Sequence, residues 1–515
     1  MRWVARGMTA LVCAVVTLHA AASSPARPIS QLQGVDALVR VYDFILEARF
    51  DQVDAELPKA CGPAPPEACD VLAATALWWR IQLDPHSHAL DPRFSTAVEH
   101  AIASTEAWTV REPERAEAWF YLGAAYAVRV QWRVLRDQKL SAARDGKRIL
   151  EALETATELD PGLDDAYFGM GMYKYYAAVA PAAARMLRFL LFLPGGDKKE
   201  GLEQMVRART RGKLLQGEAD YQLSIIYLWY EQETARAIHL LEALHRQYPG
   251  NPHFLAQIGE IQDEYLHDTM ASLSTWRALL ASARDHRSNL PVLAETRSRL
   301  ELARLLDELY LTDNAIEHLE AIIALEPSAP YSALPLAYLR LGQARDRLGA
   351  RADAIEAYRQ ARAIAPTRDV YDVRETATAG LRRGPNARES EAYRLSLDGW
   401  RLLEQNQLDA AAAALERSLS LDDDDPVARY RYGRVLQARK QDPSALLQFE
   451  TTIRERRHCP APILGNAYLE AARLHERAGR RDQAISYYRI ASTLFGAAAD
   501  TKSAATRALT RLRAR

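Results

Sequence analysis

Apolar residues recur three or four positions apart through most of the chain, the spacing that places them on one face of a helix. Ala, Leu, Arg and Glu dominate these segments, and long alternations of β-branched residues are missing. Short polar turns separate one segment from the next. The pattern therefore predicts an all-α protein. At 515 residues the chain is too long for a single ordinary core, so we expect several domains or a repeat array.

A combination of small, aromatic and helix-breaking residues returns along the chain. Small residues suit the point where the two helices of a pair cross closely, aromatic residues fill the gap beside them, and proline ends the second helix. The best copies comprise Tyr338, Leu341, Gly342, Gly349, Ala354, Tyr358, Ala361 and Pro366; Leu302, Ala303, Ala315, Leu319, Ile322 and Pro327; Tyr432, Gly433, Ala445 and Phe449; and Tyr468, Ala472, Gly479, Ala484, Tyr488 and Ala491. Together with weaker copies they predict about nine helix pairs.

These residues resemble the tetratricopeptide-repeat superfamily over about residues 110–500. The resemblance implies a right-handed α-solenoid of antiparallel helix pairs that binds proteins or peptides in its concave groove and has no chemistry of its own. The N-terminal part is similar to bacterial exported proteins of this superfamily.

A second, distant resemblance covers residues 166–230, which are similar to the eukaryotic inclusion-clearance family that includes tetratricopeptide repeat protein 39. Members of that family are repeat proteins linked to lipid droplets and inclusions, without known catalysis. The residues that carry this resemblance are Gly169-Met170-Gly171, Pro181, Leu190 to Leu193, Gly196-Asp197, Gly201-Leu202 and Tyr227-Leu228-Trp229-Tyr230.

The N-terminus has the features of a secretory signal peptide. Arg2 and Arg6 precede an apolar run from Met8 to Ala22, and the small residues at its end fit a cleavage site after Ala22. We therefore expect residues 1–22 to be removed and the chain to be periplasmic or extracellular. The alternative is that the segment stays uncleaved as a membrane anchor.

Composition and spacing divide the rest of the chain into four parts. We expect a helical N-terminal cap (23–110), a repeat array with lengthened and inserted helices (111–381), a linker rich in helix breakers (382–390) and a C-terminal array (391–515). Within the cap, Cys61 and Cys69 are expected to form a disulfide in an oxidising compartment, and Cys459 is left unpaired and buried.

Candidate partner-binding residues follow the small residue of each first helix, because first helices line the concave face of such a superhelix. Arginine forks at these positions suit the carboxylates of an extended acidic peptide. The alternative is that each arginine pairs with an acidic neighbour of its own helix, such as Asp307 or Glu476. The candidates are Arg304, Gln343, Trp400, Tyr430, Arg434 and Arg473.

The formal net charge of −1 gives no overall attraction to nucleic acid, and we expect no nucleic-acid partner. A stripe of arginines at helical spacing allows either phosphate binding or a solvated helix face that is balanced by Asp137, Asp145 and Glu151. Its members are Arg129, Arg133, Arg136, Arg144 and Arg148.

The sequence therefore predicts a non-catalytic interaction scaffold or adaptor of the cell envelope, without cofactor, metal or small-molecule substrate. One alternative is a membrane-associated assembly or lipid-handling factor that uses the apolar segment 177–193 for peripheral membrane contact. For the segment itself we favour an inserted helix that packs inside the superhelix. A second alternative is an enzyme whose site is assembled from distant residues, since the HExxH and GxSxG motifs are absent.

Overall fold

The computed structural model describes residues 32–180 and 195–513. Every regular element within these ranges is helical, which confirms the prediction of an all-α protein. The expected signal peptide (1–22) lies outside the described residues, and so does most of the apolar segment 177–193. None of the helices in the described part combines the length and the apolar character needed to cross a bilayer.

Nine helix pairs make up the body of the described chain, in agreement with the number predicted. In the second pair, the two helices flank the stretch 181–194 that the structure does not describe. The pairs, numbered in chain order, are Ala116–Leu135 with Lys139–Leu159, Ala166–Val179 with Lys198–Arg211, Gln216–Trp229 with Thr234–Gln247, Pro252–Glu264 with Thr269–Arg284, Pro291–Glu308 with Thr312–Leu325, Ala333–Arg347 with Arg351–Ile364, Ala387–Glu404 with Leu408–Leu421, Pro426–Ala438 with Asp442–Arg454, and Ala461–Arg477 with Arg481–Thr493.

The pairs stack in sequence order, so that most helices pack against their neighbours along the chain. First helices of several adjacent pairs also contact each other, as Pro426–Ala438 does with Ala461–Arg477, whereas each second helix packs mainly against first helices. Elements on the inside of a curved stack are closer together than those on the outside. First helices therefore line the inner face of an α-solenoid.

Small residues stand at the helix crossings because the two helices of a pair lie too close together for a larger side chain, as the sequence suggested. A Cβ atom on Gly342 would lie 2.6 Å from the ring of Tyr358, and one on Gly433 would lie 2.6 Å from the ring of Phe449. Ala354 on the second helix of the sixth pair is fully buried. In these two pairs, an aromatic ring on the second helix thus occupies the space that a side chain on the first helix would need.

Further helices precede, interrupt and end the nine pairs. One short helix lies between the sixth and seventh pairs, and residues 383–386 are the non-helical part of the expected linker. The division into two arrays stays a prediction. These helices are Val35–Leu46, Phe50–Ala60, Pro66–Leu83, Asp91–Arg111, Val373–Arg382, the 3₁₀ turn Arg456–His458, and Ala499–Arg513.

The N-terminal helices do more than cap the stack. Asp91–Arg111 packs against the first pair, as a cap would. Residues 32–90, which we call the inner segment, instead run along the inner face. Trp79 packs against Tyr221 of the third pair, with ring centroids 5.0 Å apart, and against Phe254 of the fourth pair at 6.1 Å. Within this segment, Cys61 and Cys69 are joined by a disulfide.

Candidate partner-binding face

The inner segment is held on the third to fifth pairs through its backbone. The side-chain amide of Asn251 donates to the Leu46 carbonyl over 2.7 Å, and that of Asn289 donates to the Glu47 carbonyl over 2.8 Å. These carbonyls stand at the C-terminal end of a helix, where no partner is available within the helix itself. Tyr248 adds a 2.8 Å hydrogen bond to Asp43. Side chains of the array therefore recognise the end of helix Val35–Leu46.

A buried carboxylate lies at the centre of this interface. Glu218 accepts hydrogen bonds from the Tyr42 hydroxyl at 3.0 Å, the Trp79 indole N–H at 3.0 Å and the Gln222 amide at 3.2 Å. Its carboxyl is fully enclosed, and burial raises its pKa. Tyr42 and Trp79 come from the inner segment, so the carboxylate ties that segment to the third pair.

A buried histidine of the same interface is neutral at physiological pH. The His253 ring lies 2.9 Å from the Tyr221 hydroxyl, and the side chain is buried. Desolvation, reinforced by the nearby positive charge of Arg297, lowers the pKa of His253 to about 3. The imidazole therefore acts as a structural group in the interface.

The arginine stripe predicted on the first pair is engaged in structural contacts. Arg136 donates to the carbonyls of Pro85 and Ser87 at 2.6 and 2.7 Å and pairs with Asp91, which fixes the end of the inner segment. Arg129 forms a buried pair with Asp145 at 2.8 Å. These contacts oppose phosphate binding by the two arginines. The alternative of a solvated helix face is wrong for them as well, because both side chains are buried and Arg136 pairs with Asp91.

The inner segment reaches as far as the sixth pair. Both carboxylate oxygens of Asp84 accept from the backbone N–H of Tyr331, at 2.9 and 3.0 Å. The ring of His86 stands against that of Tyr371, with centroids 5.8 Å apart. The inner face of the first half of the solenoid is therefore occupied by the chain's own N-terminus.

Arg304, the first of the candidate binding residues, is already surrounded by carboxylates. It pairs with Glu301 at 2.8 Å and Glu308 at 3.0 Å on its own helix, and with Asp263 of the preceding pair at 2.6 Å. These three contacts occupy its guanidinium. Gln343, the corresponding residue of the sixth pair, is exposed.

The remaining candidates follow one another along the seventh to ninth pairs. The rings of Trp400 and Tyr430 are 6.4 Å apart, and the Arg434 guanidinium donates to the Tyr430 hydroxyl over 3.1 Å. Arg473 pairs with Glu470 of its own helix at 2.6 Å. Tyr430 is buried, Trp400 and Arg434 are half-buried, and Arg473 is exposed. We call Trp400, Arg434 and Arg473 the open strip.

Two residues that the sequence argument did not select complete this face. Gln437, one turn after Arg434, donates to Glu470 over 2.8 Å and so joins the eighth pair to the ninth. Arg431 is buried and donates to the Ser396 hydroxyl at 2.9 Å and to the Tyr310 carbonyl at 2.5 Å. This contact fixes the turn of the fifth pair against the seventh and eighth pairs, at the edge of the open strip.

Residues 336–368 match the family model described as a tetratricopeptide repeat. The sixth pair is therefore a tetratricopeptide repeat. The matched residues cover most of the sixth pair, where Gly342 and Tyr358 make the crossing described above. Solenoids of this kind present extended concave binding surfaces, and repeat proteins of this superfamily are generally non-catalytic interaction scaffolds.

Several solved structures share the repeat architecture at low identity. A human IFIT1 dimer with m7Gppp-AAAA is 13% identical, with a TM-score of 0.31, covering 82% of this chain and 95% of that one. Yeast Tom70 is 11% identical (TM-score 0.25), covering 93% and 96%. A tetratricopeptide repeat protein from Parabacteroides merdae is 15% identical (TM-score 0.26), covering 58% and 98%. No curated protein sequence matches the repeat protein.

Proposed function

We propose that this repeat protein is a non-catalytic scaffold of the cell envelope that binds a partner protein or peptide along the open strip. The observation that carries the proposal is the contrast between the two halves of the inner face. The inner segment fills the first half, whereas Trp400, Arg434 and Arg473 stand on adjacent first helices of the second half and are partly or fully exposed. The envelope location rests on the expected signal peptide.

The chemistry of the open strip suits an acidic, extended partner with an apolar side chain. Arg434 donates to a neutral hydroxyl and forms no ion pair among the described residues, so its guanidinium retains donors for a carboxylate. Arg473 pairs with Glu470, and its side chain is 47% exposed. Exposed ion pairs contribute little to stability, so Arg473 can exchange Glu470 for a carboxylate of the partner. Trp400 supplies an aromatic surface between these charges and the seventh pair.

Binding to the open strip costs little conformational entropy, because the strip is rigid. The first helices that carry it are fixed by packed pairs, so few side chains lose freedom when a partner binds. Charge steering by the two arginines raises the association rate at low salt and fades as salt screens it. We therefore expect salt-sensitive capture.

The test compares the double variant Arg434→Ala/Arg473→Ala with the control Arg359→Ala/Arg417→Ala in pull-downs from envelope extract. The control arginines are exposed on second helices, away from the inner face. We expect partner capture to fall at least tenfold, or about 1.4 kcal/mol, in the first variant only. Arg304 stays unchanged, because its removal would leave three carboxylates without their cation. Equal capture by both double variants would exclude the open strip as the binding face.

A further inference from the structure

A small cavity lies between the inner segment and the first helices of the first three pairs. The space open to the centres of water-sized molecules is about 60 Å³. One water needs about 10–15 Å³ on this measure, so the cavity has room for about four or five packed heavy atoms. Its walls are mainly aliphatic and include five aromatic side chains, those of Tyr42, Trp78, Phe120, Tyr121 and Phe168.

Asp165 and Glu218 supply the charged part of the cavity wall. Asp165 accepts hydrogen bonds from the backbone N–H groups of residues 213–215. Glu218 is held by side chains. The three groups that donate to it, on Tyr42, Trp79 and Gln222, are all neutral. No arginine, lysine or histidine of the described residues forms an ion pair with it. Its place in the first turn of helix Gln216–Trp229 favours the ionised form, while burial opposes it. A buried carboxylate of this kind is stabilised by a cation placed beside it.

A second polar group of the same wall is also unsatisfied. The Tyr121 hydroxyl is buried and has no hydrogen-bond partner among the described residues, although buried hydroxyls are nearly always bonded. Tyr121 lines the cavity together with Glu218. A hydroxyl without a partner, a carboxylate without a counter-charge and several aromatic side chains thus line one space.

We infer that this cavity binds a small organic ammonium ion, with Glu218 as its counter-charge and the aromatic rings facing its alkyl groups. Aromatic faces attract cations, and desolvated sites lined by several rings are the usual receptors of quaternary ammonium groups. A trimethylammonium head has four heavy atoms and matches the space available. The inference is independent of the open strip, which lies on the seventh to ninth pairs.

A ligand in this cavity joins the inner segment to the array. Tyr42 and Trp78 belong to the inner segment, whereas Phe120 and Glu218 belong to the array. A cation bound between them contacts both parts and stabilises the folded state in proportion to its occupancy. Ligand binding therefore raises the unfolding midpoint and strengthens the attachment of the inner segment.

The probe is tetramethylammonium, and its neutral counterpart is tert-butanol, which also has five heavy atoms and nearly the same shape without the charge. Titration calorimetry and thermal unfolding are measured with the full protein, with Glu218→Gln and with the control Glu308→Gln at an exposed site. We expect tetramethylammonium to bind the wild type and the control at least tenfold more tightly than the alcohol. Glu218→Gln should lose this tenfold preference.

The variants are chosen so that misfolding does not decide the result. In Glu218→Gln the amide oxygen still accepts from Tyr42 and Trp79, and circular dichroism checks the fold. Ala127→Leu places a larger side chain in the cavity wall and leaves Glu218 in the chain, and it should abolish tetramethylammonium binding. The inference is overturned if wild type shows no saturable tetramethylammonium binding up to about 10 mM, a limit that corresponds to roughly 3 kcal/mol of affinity. It is equally overturned if the alcohol binds as well as tetramethylammonium, or if folded Glu218→Gln or Ala127→Leu retains binding.

Discussion

The Tyr42 hydroxyl donates a 3.0 Å hydrogen bond to Glu218, a residue that lies 176 positions further along the chain. Both side chains are buried. In most solenoids each repeat contacts only its neighbours, so stability is close to a sum of local terms. The Tyr42–Glu218 contact joins the inner segment to the third pair. The stability of the first half of the molecule therefore depends on a contact between residues that are distant in the sequence.

Removing the Tyr42 hydroxyl should therefore weaken the whole interface. We expect Tyr42→Phe to lower the free energy of unfolding by about 1–3 kcal/mol, because a buried acceptor loses one of its donors. Urea unfolding gives the difference. Tyr121→Phe is the matched control, since the Tyr121 hydroxyl is buried without a partner, and it should change stability by less than about 0.5 kcal/mol. Equal losses in both variants would contradict the role assigned to the contact.

The repeat pattern predicted the array well because its cause is local. Gly342 and Tyr358 belong to one pair, and the spacing between them is set by helix geometry alone. The inner segment shows no comparable periodicity, so its path along the inner face was not predictable. Trp79 and Glu218 are separated in the sequence by the whole of the first two pairs, and no spacing in the sequence indicates that they meet.

The crossing glycines make a second prediction. Gly433→Ala adds a Cβ atom that would lie 2.6 Å from the Phe449 ring, so the two helices of the eighth pair must move apart. We expect a loss of about 1–3 kcal/mol despite the better helix propensity of alanine.

The control is Gly146→Ala, inside helix Lys139–Leu159, where a new Cβ atom would have ordinary contact with Tyr173 at 3.4 Å. This substitution should leave stability unchanged or raise it by up to about 1 kcal/mol. Thermal unfolding of the two variants beside wild type measures both effects. Stabilisation by Gly433→Ala would show that the pair tolerates the added atom.

The sequence predicted where the candidate binding residues lie, but not which of them have guanidinium groups that are free to bind a partner. Spacing placed Arg304, Arg434 and Arg473 on first helices, and the structure has them on the first helices of the fifth, eighth and ninth pairs. It did not distinguish the enclosed Arg304 from Arg434, because Asp263 reaches Arg304 from another pair. Which arginines retain free donors depends on contacts between pairs, and these follow from the curvature of the stack. The binding role of the open strip stays a prediction.

The unpaired cysteine gives a chemical prediction. Burial, with a smaller contribution from the negative charge of Asp425, raises the pKa of the Cys459 thiol to about 12. Thiolates are the reactive form, so Cys459 should react with iodoacetamide at pH 8 at least tenfold more slowly than a free thiol. Mass spectrometry of the unreduced protein follows the reaction, with the urea-unfolded protein as the control. Cys459 is half-buried, so the expected burial holds only in part. Rapid labelling of the native protein would contradict the raised pKa.

Acidification should destabilise the inner-segment interface through His253. Its pKa is lowered from 6.5 to about 3 in the folded protein, so between these values the unfolded chain binds a proton that the folded chain does not. Stability contributed by the neutral ring is present above pH 6.5 and is lost as the pH falls towards 3. Between pH 7 and pH 4 the loss is roughly 3 kcal/mol, at about 1.4 kcal/mol per pH unit below 6.5.

Replacement of His253 by glutamine removes the titration and keeps an amide in reach of the Tyr221 hydroxyl. The difference in unfolding free energy between wild type and His253→Gln should therefore shift by roughly 3 kcal/mol against wild type from pH 7 to pH 4. Burial raises the pKa of Glu218, which favours the folded state at low pH, but this effect is common to both proteins and cancels in the difference. His100→Gln, at a histidine whose side chain is 69% exposed, is the control. Parallel pH profiles of wild type and His253→Gln would show that the imidazole becomes protonated without opening the interface.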